Sequence, residues 1–133
     1  MATLAKAIVV CLIVATLGTF CASTDMSFDF DCTSKTFKHC DAYGQNVESL
    51  LTELKTITPV NGNFYHRANR TNPRVYGTAH CFSSLTSSEA ACTSCLHKAI
   101  KTIRAECWNT VGASAGSAAA GCNIQYDSSK IKP

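Results

Sequence analysis

Past Phe20 the sequence has no second long apolar run, no segment repeating at solenoid length and no large excess of charge of either sign. The first absence leaves no further membrane-spanning stretch, and the second excludes stacked-repeat architectures. Twelve Lys and Arg stand against nine Asp and Glu, a balance too even to imply nucleic acid or an anionic membrane as partner. Patterns that carry chemistry are scarce too. No Ser-His-Asp order, paired-carboxylate motif or phosphate-cradling loop stands out, so no enzyme is expected and no catalytic residue is assigned. Cys92-x2-Cys95 lacks a matching second pair, and His39, His66, His80 and His97 are scattered. Neither a metal site nor any other cofactor is therefore expected.

What the chain does have is cysteine, nine in 133 residues. Whether they form bridges or free thiols depends on the compartment. Met1 to Lys6 carries one positive charge, Ala7 to Phe20 is mostly apolar, and small residues follow at Cys21-Ala22-Ser23. A basic start, an apolar centre and a small-residue cleavage site describe a secretory signal peptide over residues 1–23, too short for a comfortable membrane span. Cleavage removes Cys11 and Cys21 and leaves residues 24–133, with seven cysteines, as one soluble domain in an oxidising space. About 110 residues suffice for a modest core. The densest basic group, Lys98, Lys101 and Arg104, is spaced as one helix face and reads as solvated surface.

Periodicity predicts mixed α and β structure. Phe28, Phe30 and Cys32 alternate with Asp29 and Asp31, as in a half-buried strand. Val47, Leu50, Leu51, Leu54 and Ile57 recur at helical spacing up to Thr58-Pro59. Asn63 to Arg70 and Arg74 to Phe82 read as strands joined through Thr71-Asn72-Pro73. Thr86-Ser-Ser-Glu89 reads as a capping box for a helix to about Glu106, with Cys92, Leu96, Ala99, Ile100 and Ile103 inward. Gly112 to Gly121, rich in Ser, Gly and Ala, reads as a flexible loop. A last strand alternates Cys122, Ile124 and Tyr126 with Asn123, Gln125 and Asp127. Two helices on an antiparallel sheet is the natural packing.

Four segments carry a resemblance: Val75-Tyr-Gly-Thr-Ala-His-Cys81, Cys92-Thr-Ser-Cys95-Leu, Cys107-Trp-Asn-Thr-Val-Gly-Ala113 and Cys122-Asn-Ile-Gln-Tyr126. Together they resemble the ginkbilobin-2 homology domain of land plants, found in small secreted antifungal proteins and in cysteine-rich receptor-like kinases. The likeness spans almost all of residues 24–133, with Cys81-x10-Cys92 two residues longer than the family's usual spacing. It implies an α+β fold, an antiparallel sheet of about five strands packed against two helices, with three disulfides. Carried over residue by residue, these would be Cys32–Cys107, Cys81–Cys92 and Cys95–Cys122. Cys40 is then left over beside His39. A nucleophile, the link of a disulfide-bonded dimer and an inert thiol are the readings open for it.

The resemblance implies plant defence through carbohydrate. Ginkbilobin-like proteins inhibit fungal growth and bind mannose, which makes a fungal cell-wall mannan the expected partner. The family's mannose site uses an Asn after the first cysteine, an Arg in the loop after the second helix and a Glu just beyond Gln-Tyr. Those positions fall here on Thr33, Ser114 and Asp127, and Trp108 to Gly121 holds no Arg or Lys. A lost charged hydrogen bond typically costs about 1.5–3 kcal/mol, so mannose binding is expected to be weak. Two functions follow: an apoplastic antifungal lectin, or a non-lectin interaction or signalling module that keeps the fold. Adjacent cysteines and a C-x-C, the marks of lipid-transfer proteins, are absent. Asn69-Arg-Thr71 is an N-glycosylation acceptor.

Overall fold

In a computed structural model, residues 27–38, 41–69 and 71–131 are described. The signal-peptide segment, His39 and Cys40 lie outside them. Five antiparallel strands form one sheet, and two helices lie against one of its faces. The strands are β1 (Asp29–Cys32), β2 (Phe64–Ala68), β3 (Tyr76–Cys81), β4 (Ala113–Ser117) and β5 (Cys122–Asp127), in the spatial order β1-β4-β5-β3-β2. Helix α1 (Ala42–Ile57) precedes β2, and helix α2 (Glu89–Glu106) lies between β3 and β4. Neither helix is long and apolar enough to cross a membrane.

Each helix is set by its caps and its apolar stripe. The Asp41 carboxylate accepts from the Gly44 N–H at 2.9 Å, satisfying an orphan donor at the start of α1. Val47, Leu50, Leu51 and Leu54 are all buried. The predicted stop holds, with Thr58–Val60 tightening into a 3-10 turn. In α2 the stripe is Cys92, Cys95, Leu96, Ala99, Ile100 and Ile103. Its cap departs from expectation. Ser88, not Thr86, accepts from the Ala91 N–H at 3.1 Å. The capping box lies one turn earlier, where Ser83 and Thr86 bond reciprocally around a 3-10 turn. Thr86 is drawn away because its hydroxyl also donates to the Gly121 carbonyl, 2.9 Å across the chain.

Two more expectations are corrected. Gly112 to Gly121 is not a loop: residues 113–117 form a strand, and only the following residues turn. Its Ala, Ser and Gly have low strand propensity, but β1 and β5 pair with both of its edges, and that pairing wins. The segment Asp29–Cys32 is a strand but not half-buried. All four residues are exposed, because β1 is an edge strand that pairs with β4 alone. Phe30 is 48 % exposed, while Phe28 packs against the core margin.

Three disulfides tie the layers together, and they are the pairs the resemblance implies. Cys32–Cys107 joins β1 to the end of α2, Cys81–Cys92 joins β3 to α2, and Cys95–Cys122 joins α2 to β5. Cys81, Cys92, Cys95, Cys107 and Cys122 are themselves buried, so two bridges lie wholly in the core and the third enters it from the exposed Cys32.

Candidate functional site

The outer face of the sheet, away from the helices, is built by strand alternation. On β5 the inward residues are Cys122, Ile124 and Tyr126, which leaves Asn123, Gln125 and Asp127 outward. Register then places Asp31, Ser114, Gln125, Thr78 and His66 in one outer row. Asp29, Gly116, Asn123, His80 and Phe64 form the next row.

Thr33, Ser114 and Asp127 meet at one end of this face. They line a shallow depression of about 270 Å³ together with Asp31, Gly112 and Gln125. The structure thus gathers all three positions that the resemblance singled out. Nothing in the sequence marks Asp31, Gly112 and Gln125 as members of this site, although period-two alternation already sets Gln125 on the face of Asp127. The Thr33 hydroxyl is not spare for a ligand. Its Oγ1 accepts from the Gly112 N–H at 2.9 Å and donates to the Gly112 carbonyl at 3.2 Å. Asp127 Oδ1 is also committed, accepting from the backbone N–H groups of Ser128 at 2.6 Å and Ser129 at 3.4 Å. Gly112 closes the space between them. A Cβ there would come within 2.9 Å of both the Asp127 carboxyl and the Thr33 methyl, a gap that only glycine fills without displacing one of them.

Two phenols hold this backbone from behind. Tyr43 donates to the Val111 carbonyl at 2.6 Å, and Tyr126 to the Thr110 carbonyl at 2.9 Å. Burial pushes the Tyr43 phenol well above the usual tyrosine range, helped by Tyr126 and by the negative charge of Asp127. Burial likewise raises Tyr126, against the opposing effect of its bond to Thr110. Both phenols therefore stay neutral donors. The depression itself offers two carboxylates, a serine hydroxyl and a primary amide, with no Lys or Arg in its lining. It can accept from a polyol but has no charged donor for it. Among the described residues no three His, Cys, Asp or Glu side chains gather as metal ligands would.

Elsewhere, a larger cleft of about 810 Å³ lies between α1 and α2, where Trp108 is 60 % exposed beside the Arg104–Glu48 ion pair. Lys98 and Lys101 are exposed on the same helix, as the solvated-face reading requires. Asn69 braces the turn between β2 and β3. Its Oδ1 accepts from the Val75 N–H at 2.6 Å, and its Nδ2, the atom a glycan would occupy, donates to the Thr71 carbonyl.

The salt stress response/antifungal family model matches residues 31–129. The chain belongs to that family. This antifungal-family domain is the ginkbilobin-type, or DUF26, domain, and its fold recurs in solved structures. One is the tandem DUF26 ectodomain from the Arabidopsis thaliana cysteine-rich receptor-like protein PDLP5, at 22 % identity and a TM-score of 0.66, covering 76 % of this chain and 49 % of that one. Another is the corresponding ectodomain of PDLP8 from the same plant, at 19 % identity and a TM-score of 0.68, covering 77 % and 49 %. The chain spans about half the length of these two ectodomains. No curated protein matches the sequence.

Proposed function

We propose that this domain is a secreted plant defence protein with antifungal activity, released by cleavage of residues 1–23 and acting by surface contact rather than by catalysis. The observation that carries the reading is the family match over residues 31–129. Three bridges threaded through a small core fit an extracellular, oxidising space. A fungal wall glycan is the proposed partner, with the protein either monomeric or dimerised through Cys40.

Within that role, recognition of free mannose through Thr33, Ser114 and Asp127 is disfavoured. The hydroxyl of Thr33 is spent on Gly112, and no cation lines the depression. Weak monosaccharide sites depend on a few well-placed donors, and each missing charged bond costs about 1.5–3 kcal/mol. Two measurements on the oxidised protein test the two halves of the proposal. Growth of a filamentous fungus should be inhibited by the folded protein and not by its reduced, alkylated form; equal growth with both would refute the defence role. Calorimetric titration of mannose should give no saturable heat. Saturable binding that Asp127→Ala abolishes would restore the mannose site instead.

A further inference from the structure

The outer sheet face continues past the mannose-type depression into a second, longer groove of about 540 Å³. Its lining includes Asp29, Asp31, Thr78, His80, Asn123 and Gln125, and no Lys or Arg. The side chains of Asp29, Asp31, Asn123 and Gln125 make no hydrogen bond or ion pair with any described residue. Asp29 and Asp31 lie two residues apart on the exposed edge strand, about 7 Å along it. Phe64 and His80 line its far end, and Phe82, just outside the lining, extends them into an aromatic run with ring centroids 5.4 Å and 5.5 Å apart. Phe64 and Phe82 are 38 % and 44 % exposed. Gly116 keeps the floor between the two ends low, since a Cβ there would sit 2.7 Å from the Asn123 Cβ.

A separate observation points to a ligand. Thr78 sits in the groove wall only 8 % exposed, and its hydroxyl has no partner among the described residues. In the same outer row, the buried Nδ1 of His66 is also unpartnered. Buried polar atoms are nearly always bonded, so the Thr78 hydroxyl, which lies in the groove wall, calls for a partner from outside the chain. The chemistry is specific. Two unpaired carboxylates call for positive charge. Free amides and hydroxyls call for a polyol, and the exposed rings call for flat apolar faces.

We infer that this groove binds a linear oligosaccharide of amino sugars, with ring faces on Phe64 and Phe82, ammonium groups at Asp29 and Asp31, and a ring hydroxyl reaching Thr78. The proposal names the glycan class for the defence reading but uses a surface other than Thr33 and Asp127.

The test titrates a fully deacetylated glucosamine hexamer, and its N-acetylated counterpart, into the oxidised protein at mildly acidic pH. The amino form should bind saturably and weaken steeply with salt, while the acetylated form binds at least tenfold more weakly. The double variant D29N/D31N should lose tenfold or more in affinity, and Asp127→Ala should change it little. Thr78→Val should weaken binding several-fold while raising the melting temperature, because it deletes an unpartnered buried hydroxyl; a fold merely damaged by the change would melt earlier. Equal binding of both hexamers, unchanged affinity in D29N/D31N, or no binding by protein with intact bridges would overturn the proposal. So would occupation of the face by a second copy in sedimentation, or oligolysine binding in place of the sugar. Fungal inhibition without hexamer binding would sink the groove and leave the defence role standing.

Discussion

At the scale of single residues, the candidate site shows how a side chain's identity and its availability part company. Thr33 has the hydroxyl a sugar would need, yet that hydroxyl closes a two-way bond with Gly112. Asp127 has the carboxylate, yet one oxygen is turned onto the backbone of Ser128 and Ser129. Tyr43 makes a sharper case, because its burial ties protonation to folding. Its folded pKa lies above the unfolded value of about 10, so the unfolded state releases the phenolic proton first. The stability it confers is whole below about pH 10 and is lost as pH rises toward the folded value. Denaturant titrations from pH 8 upward should therefore show stability falling above about pH 10. Tyr43→Phe should flatten that fall and lower stability at neutral pH by about 1 kcal/mol, the worth of its bond to Val111. An unchanged alkaline slope would place the effect on Tyr126 or Tyr65, which burial also raises.

At the scale of elements, the two helices were readable because period and punctuation agree: the apolar stripes of both proved to be the buried faces. The start of α2 was misread because two overlapping Ser/Thr runs offer a cap, and only the Thr86 bond to Gly121, distant in sequence, separates them. Ser88→Ala should accordingly cost about 1 kcal/mol in chemical unfolding. Ser87→Ala, one residue before, should cost less, since the Ser87 hydroxyl bonds only an exposed carbonyl of the preceding turn. Strand β4 was invisible for another reason. Ala113, Ala115 and Ser117 are small and buried, and small residues carry little local strand signal. The strand exists through its two neighbours.

At the scale of the whole molecule, the bridges stand in for core that a domain of this size lacks. Cys32–Cys107 spans a sequence separation of 75, against 27 for Cys95–Cys122 and 11 for Cys81–Cys92. Loop-closure entropy then ranks the long bridge first, at roughly 4 kcal/mol. The double variant C32S/C107S should lose the most stability of the three bridge deletions in urea unfolding. A larger loss from C81S/C92S would mean that burial of the short bridge, not chain entropy, dominates.

The sequence by itself determined the family, both helices, most of the strands and, through the likeness, the cysteine partners, because cysteine spacing and hydrophobic period are local and specific. The tertiary structure alone decided the rest. It made a strand of Ala113–Ser117, assigned the cap of α2 and closed the Thr33 hydroxyl on Gly112. It also lined up Asp29, Asp31, Thr78, His80, Asn123 and Gln125, drawn from three strands, along one groove. Each of these depends on which distant backbone group stands opposite a residue. Pairing across the sheet fixes that, and no local pattern encodes it.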